Sequence, residues 1–532
     1  MLGRLSQWAD ENPAAVGLAV VLFGLALGLR EFSDPDIWFH LTIGRAIFSL
    51  GALPATEFYI FPAFSEPAHY PAAGYGLLQY LLFRVAGLPT LAAFNALLFL
   101  ATIYLLYRAA RTAAPAPGVL ATLLTLSVVL WGLNPRFVFR PETILFLFLA
   151  LELLLLERWL RTGRVRNLYM LAGLSWAITL LHTTWIILAL PVAAYAVHWL
   201  AEFSNTSARS WRSDGMAFAH LVVAGVLMCL LPLLNPYGLA QLKVLLASFP
   251  GETSALVEYL PIHRTEYLPH FIFLSLCVIV GWGATRRIRT CDALMVAGFG
   301  VLAFLTARNI ALFAIACFLP LSRSLNDILA RNTIAPHPAI AAAIAATLTL
   351  TAIDSENNWG YGIQRDTMPE AGTQLIRTHL PPCNVFNFFH FGGYLAWELD
   401  VPFKVAIDGH FVTPTAANPL HDQFFRADPN WRAIARRYAV CAIVTPATLS
   451  YSGALIPLVQ MLVGDPDWRL VAVEGAGLTF IRNDLAPHVE ALPKRLIWEQ
   501  AIREAAATLK VYPQQPQALE AQRIARERLT FE

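Results

Sequence analysis

Two acids and an imidazole crowd one short stretch, SDPDIWFHL at residues 33–41, as Asp34, Asp36 and His40. A helix starting near Pro35, with Ser33 or Asp34 as N-cap and proline in its first turn, sets Asp36 and His40 four residues apart on one face. That pairing supports two chemistries: it holds a divalent cation, magnesium or manganese, for which Asp34 and Asp36 are the candidate acidic ligands, or Asp36 acts as a base while His40 positions a phosphate. A structural reading fits the same residues. In it Asp34 only caps the helix, Asp36 complements its dipole, and Trp38 and Phe39 are aromatic anchors in a membrane interface.

Other polar groups interrupt apolar surroundings. Glu57 follows LPAT, Arg136, Arg140 and Glu142 flank Pro141, His182 breaks a long apolar stretch, and Arg308-Asn309 separates two apolar runs. An ionisable side chain at membrane depth is costly and marks a functional candidate. For Arg140 and Arg308 the alternative is snorkelling to the surface, and for His182 a hydrogen bond inside a bundle. An arginine pair near acids suits a substrate that joins an anionic phosphate to a neutral transferable group. Further along, FGGYLAWEL and VAIDGH also allow two readings. Gly392-Gly393 forms a tight strand-to-helix turn and Asp408-Gly409 closes a strand, or Asp408 and His410 face an active site from a strand's carboxyl end.

The elements that must hold these groups are membrane helices. The chain of 532 residues is 57% hydrophobic and only 14% charged, far below the charge of a soluble globular protein. Apolar runs at 13–29, 90–107, 117–133, 142–157, 167–182, 184–200, 216–234, 268–285, 291–306, 308–322 and 335–352 are read as about eleven spans. A net charge of +2 with dispersed basic residues excludes a nucleic-acid partner. The first run is expected to be a retained helix rather than a cleaved signal peptide. Spans free of buried acids and of paired half-sequences speak against a transporter.

Arginines set the orientation. Arg4, Arg108/Arg111, Arg158/Arg161/Arg164/Arg166, Arg209/Arg212, Arg286/Arg287/Arg289 and Arg323/Arg331 all fall on one side if the run 74–89 is left out of the count. By the positive-inside rule that side is cytoplasmic, as is the N-terminus. The run 74–89, which contains Arg84, is therefore read as a helix at or dipping into the outer interface. The candidate residues then lie on the extracytoplasmic face of a multi-pass protein.

Three regions follow: a transmembrane domain over 1–352 with its outer loop at 30–89, an extracytoplasmic α/β domain over 353–485, and a helical segment over 486–532. The runs CNVFNFF, FKVAID, AVCAIVT and RLVAVEGAGLTFIRN are strand-like, and PNWRAIARRY is helical. The last segment reads as two amphipathic helices around a proline-broken turn, a single unit that packs on the domain or contacts a protein partner. Cys383 and Cys441 lie in strand-like runs of the outer domain, where they either pair in an oxidising compartment or are simply buried.

The sequence DPDIWFHLTIGRAIFSLGALPATEFY resembles the first outer loop of polytopic glycosyltransferases of the GT-C class. Within it DPDIWFHL is similar to the first acidic motif of the oligosaccharyltransferase catalytic subunit. A broad group of bacterial membrane proteins is more similar still. Their ordered motifs are present here as Arg140-Pro141, Leu181-His182, LNPYG at 234–238, Arg308-Asn309, GGYLAWEL at 392–399 and VAIDGH at 405–410. The resemblance covers the chain to about Asn483.

It implies a GT-C-like helical membrane fold and transfer of a sugar from a polyprenyl-phosphate-linked donor to an extracytoplasmic acceptor. It also implies Asp36 or Asp34 as base or metal ligand, His40 as auxiliary, and Arg140 and Arg308 as a phosphate clamp. Glu57, Glu142, His182, Asn309 and Asp408 would be further substrate contacts. The chain departs from the pattern at Tyr75-Gly76, where relatives carry an acid-bearing pair, and at LHTTW, which lacks the glycines after Leu-His. The alternative is a catalytically silent scaffold subunit that uses its outer domain and C-terminal helices as contact surfaces.

Overall fold

The computed structural model describes residues 31, 34–70, 72–113, 119–133, 136–204, 211–242, 257–331, 367–410, 417–450, 452–475 and 477–531. Contacts divide the chain into two units, residues 1–32 with 85–362, and residues 33–84 with 363–532. In chain order, α1 (Asp36–Leu50) and α2 (Ala73–Ala86) come first and belong to the second unit up to Arg84. The helical unit follows as α3 (Leu88–Ala113), α4 (Val119–Leu133), α5 (Glu142–Thr162), α6 (Arg166–Leu181), α7 (Ala189–Ser204), α8 (Trp211–Leu230), α9 (Leu268–Thr285), α10 (Thr290–Leu305) and α11 (Ile310–Arg331). These helices coincide with nine of the expected spans. Those expected at 13–29 and 335–352 lie outside the described residues.

The protein is a polytopic membrane protein. Among the described residues, five helical segments are long and apolar enough to cross a bilayer: Leu88–Ala113, Trp185–Ser204, Gly215–Leu233, Leu268–Thr285 and Ala307–Ala330. Exposed Val222, Val223 and Val226 on α8 and Leu276, Ile279 and Val280 on α9 are the surfaces such helices turn to lipid. Helix α2 has 14 residues, short of the roughly 20 that a crossing needs.

One expectation fails inside the bundle. Glu152, in the middle of α5, is 1% exposed, and neither carboxylate oxygen has a hydrogen-bond partner. An acid is therefore buried within a span, and that argument against transport falls. Two residues of the arginine-rich ends are also drawn inward. Arg323 Nη1 lies 2.6 Å from Asp292, its Nη2 2.5 Å from Glu157, and Arg289 Nη1 3.2 Å from Glu157, tying α5, α10 and α11 together.

The second unit is built on a small mixed sheet. After α12 (Glu370–His379) come β1 (Asn384–Asn387), α13 (Gly392–Leu399), β2 (Lys404–Val405), α14 (Ala417–Phe425), α15 (Trp431–Arg437), β3 (Val440–Thr445), α16 (Pro457–Leu462), β4 (Trp468–Glu474) and β5 (Gly477–Arg482). Strand order is β2-β1-β3-β5-β4, with β1 parallel to β2 and β3, and β5 antiparallel to β3 and β4. All six residues of β3 are buried, as a strand covered on both faces requires. Cys383 and Cys441 form a disulfide across β1 and β3, with Cα atoms 6.0 Å apart.

Two cores flank the sheet. One joins Phe39, Ile43 and Ile47 of α1, with Tyr59, Ile60 and Tyr70, to Leu395, Val405 and Val444. Against the other pack Trp498 and Ala501 of α17 (Arg495–Val511) and Ala525 of α18 (Pro516–Phe531). Residues 59–60 extend the sheet at its β2 edge: Ile60 pairs in parallel with Val405, whose N–H donates to Tyr59 O at 2.8 Å.

Candidate functional site

Within the second unit α1 carries the acidic motif. The Asp36 N–H donates to Asp34 Oδ1 at 3.0 Å, an Asx turn that opens the helix one residue after Pro35. Asp34 is 8% exposed and Asp36 is half-buried. Trp38 and Phe39 are not interfacial anchors. They are 3% and 7% exposed, because α1 lies against α13, where Trp38 meets Tyr394 edge-on at 5.2 Å. Arg45 fixes the other end of this pairing by donating to Trp397 O at 3.2 Å and pairing with Asp400 at 3.2 Å, a cation at a helix C-terminus.

Gly392 and Gly393 are therefore not a tight turn. Gly392 has ordinary helical angles, and both glycines sit within α13 because a side chain would collide. A Cβ on Gly392 would stand 1.8 Å from Ile407 O, and one on Gly393 2.8 Å from the Phe39 nitrogen.

His40 is 4% exposed, its ring tilted against Phe39 at 4.1 Å and edge-on to Tyr75 at 4.9 Å. The departure at Tyr75-Gly76 has a physical cause. A Cβ on Gly76 would come 2.7 Å from His40 O, so no acid can occupy that position while α1 and α2 cross there. Gly76→Ala is expected to cost about 1–3 kcal/mol through overpacking, read as a lower thermal midpoint of the purified protein.

Beyond α1, five buried groups meet. Glu57 Oε1 accepts the N–H groups of Phe58, Tyr59 and Ile60 at 2.9, 3.0 and 3.1 Å. Glu57 Oε2 accepts from Tyr70 Oη at 3.4 Å and from His410 Nε2 at 3.2 Å. Tyr59 Oη donates to Asp408 Oδ2 at 2.6 Å, and His410 Nδ1 donates to Asp408 Oδ1. Burial alone would push the imidazole down. The Asp408 charge and the hydrogen bonds to Asp408 and Glu57 outweigh it and raise His410 to about 10, so it is an imidazolium at neutral pH. Burial, and then the Asp408 and Glu57 charges, push the Tyr59 phenol well up, so it remains a donor. Asp408 is 0% exposed and Glu57 4%, and both carboxylates bond to these neighbours.

In the helical unit the remaining expected residues gather. Arg136 Nη2 donates to both Glu142 oxygens at 3.0 and 2.9 Å, and its Nη1 lies 2.8 Å from Glu258. Arg140 Nη1 meets Glu258 at 2.7 Å, and Arg308 pairs with Glu142 and donates to Tyr259 Oη. Burial alone would raise Glu258, but Arg140, Arg136 and Arg308 hold it well below the usual carboxylate range. Glu142, His182, Thr184, Arg308 and Asn309 line a small recess. His182 Nδ1 accepts the Thr184 N–H at 3.1 Å, so a neutral ring carries its proton on Nε2. Thr184 of LHTTW thus holds the ring.

Sequence reasoning missed Tyr59 and Tyr70 in the one cluster and Glu258 and Tyr259 in the other. Only the polarity of the connection 235–270 hinted at the latter pair. The cation is expected at Asp34 and Asp36; among the described residues no three His, Cys, Asp or Glu side chains are arranged to hold a metal ion by themselves.

No family model matches the sequence, and no curated protein matches it. The fold is similar to that of solved polytopic membrane glycosyltransferases of the GT-C class. The chain is similar to the oligosaccharyltransferase of Archaeoglobus fulgidus, solved as a complex with Zn and sulfate. That likeness has a TM-score of 0.51 and 11% identity, over 93% of this chain and 76% of that one. It is likewise similar to ArnT from Cupriavidus metallidurans in the apo state, with a TM-score of 0.54 and 13% identity over 90% of this chain and 99% of that one.

Proposed function

We propose that the protein is a membrane glycosyltransferase that moves a sugar from a polyprenyl-phosphate-linked donor to an extracytoplasmic acceptor at a bacterial inner membrane. The observation that carries this reading is the recess of the helical unit. Beside it three guanidiniums, Arg136, Arg140 and Arg308, are set against two carboxylates, Glu142 and Glu258. One positive charge is left over, which suits a phosphate that gains negative charge as the sugar leaves. His182 and Asn309 add polar groups to the same wall.

In the reaction the acceptor's oxygen or nitrogen bonds to the anomeric carbon. The bond from that carbon to the phosphate oxygen breaks, and its electron pair departs with the polyprenyl phosphate. For Asp36, in the second unit, the resemblance of SDPDIWFHL supports the part of the base that takes the acceptor's proton, with Asp34 capping the turn that carries it. The Cys383–Cys441 disulfide supports an oxidising, extracytoplasmic setting for the sheet domain.

Arg308→Gln is expected to slow release of polyprenyl phosphate from a radiolabelled polyprenyl-phosphate-linked sugar by about 100- to 1,000-fold in membranes containing the full chain. Wild-type release by this variant would remove the arginine cluster from the mechanism.

The scaffold reading draws support from a different observation. Arg136, Arg140 and Arg308 are already ion-paired, and Glu57 and Asp408 are bonded internally. On that reading the same variants leave transfer unaltered, while protein partners still co-purify through the sheet domain or α17–α18.

A further inference from the structure

The Asp408-Gly409-His410 turn has no part in the chemistry just described, yet it touches the residue that does. A Cβ on Gly409 would stand 2.6 Å from Asp36 Oδ1 and 2.9 Å from Cε1 of the Phe39 ring. The backbone of the turn therefore lies directly on the first turn of α1. Its two flanking side chains are the ones locked into the buried cluster. His410 bridges Asp408 and Glu57, Tyr59 donates to Asp408, and the His410 N–H closes onto Asp408 Oδ1 at 3.1 Å. Glu57 in turn is gripped by three successive backbone N–H groups of the loop that follows α1.

The turn is thus held at both ends by charge-assisted hydrogen bonds in a site closed to water, the setting in which such bonds are strongest. Gly409 is left as the only residue between those anchors. Lacking a side chain, it lets the backbone reach the Asp36 carboxylate.

We infer that Glu57, Tyr59, Asp408 and His410 form a buried clamp that presses Gly409 onto Asp36 and fixes the direction of its carboxylate, making Asp408 and His410 positioning residues rather than substrate contacts. The assignment rests on Asp36 being the base of the proposed transfer. It gives the VAIDGH motif a role that needs neither exposure nor contact with donor or acceptor. It also explains why both acids of the clamp are buried: each is consumed in holding the turn.

The test uses membranes from a strain lacking the gene, carrying the full-length wild type, Asp36→Asn, Tyr59→Phe or Gly409→Ala. Each is given a radiolabelled polyprenyl-phosphate-linked sugar, and transfer is followed against pH. Tyr59→Phe keeps the ring and the charges of the clamp and removes one hydrogen bond, so it preserves the fold. Gly409→Ala pushes a methyl group onto the carboxylate. Gly409→Ala is expected to lower kcat on the order of 100-fold with KM for the donor unchanged. Tyr59→Phe should lower it less, and both should move the acid limb of the rate profile, with the thermal midpoint of Tyr59→Phe near wild type. Wild-type rates and pH profiles for both variants, with Asp36→Asn inactive, would overturn the clamp and leave the proposed function standing. Full activity of Asp36→Asn would overturn both.

Discussion

Replacing Asp36 by asparagine is expected to lower kcat for sugar transfer by about 100- to 10,000-fold, the usual contribution of a positioned base. Asparagine has nearly the shape of aspartate, so the contact with Gly409 and the Asx turn made by Asp34 both survive. What is lost is the capacity to take a proton. Because that loss is felt only as the acceptor is deprotonated, kcat and kcat/KM should fall together and KM for the donor should stay unchanged. A rise in KM at constant kcat would instead mean that Asp36 binds substrate and that the base lies elsewhere. The helix N-terminus, which favours negative charge at this position, makes a neutral amide the informative change.

Removing His410 is expected to have the largest effect on stability. His410→Ala deletes the cation between two buried carboxylates, and breaking one member of such a set costs about 3–5 kcal/mol. The companion change Asp408→Asn should then cost less in the His410→Ala background than alone, since both remove one network. The pH dependence follows from the same site. The folded imidazole titrates at about 10, against roughly 6.5 in an unfolded chain. Its contribution to stability is therefore fully present below about 6.5 and lost as pH rises through about 10. Thermal unfolding of the purified protein from neutral pH to above 10 should show a fall in midpoint that His410→Ala lacks. Parallel pH curves for the two proteins would mean that the imidazolium does not hold the cluster.

Much of the fold is legible in the sequence because it is periodic or compositional. The apolar runs from 90 to 322 become helices, and the four strand-like runs form β1, β2, β3 and the β4–β5 hairpin. The acids of SDPDIWFHL open a helix as their types and the proline dictate. What escapes are partners far apart in the chain. Tyr59 and Asp408 are separated by 349 residues, and Arg136 and Glu258 by 122, distances over which no local pattern extends.

Residue type also misleads where one side chain serves two settings. Trp38 and Phe39 suit a membrane interface as well as a protein core, and only the packing of α1 on α13 decides between them. Gly392 and Gly393 read as a turn because glycine usually marks one, whereas here the need is space for Ile407 and Phe39. Glu152 escapes notice in the sequence because one acid hardly lowers the hydropathy of so apolar a run.

The most direct test of the central claim is the glycolipid and glycan profile, by mass spectrometry, of a strain lacking the gene and carrying either the wild type or Asp36→Asn. The mechanism predicts that deletion removes a glycosylated product and accumulates its unmodified acceptor, that the wild type restores the product, and that Asp36→Asn at equal abundance does not. An unchanged profile on deletion, or full restoration by Asp36→Asn, would contradict it.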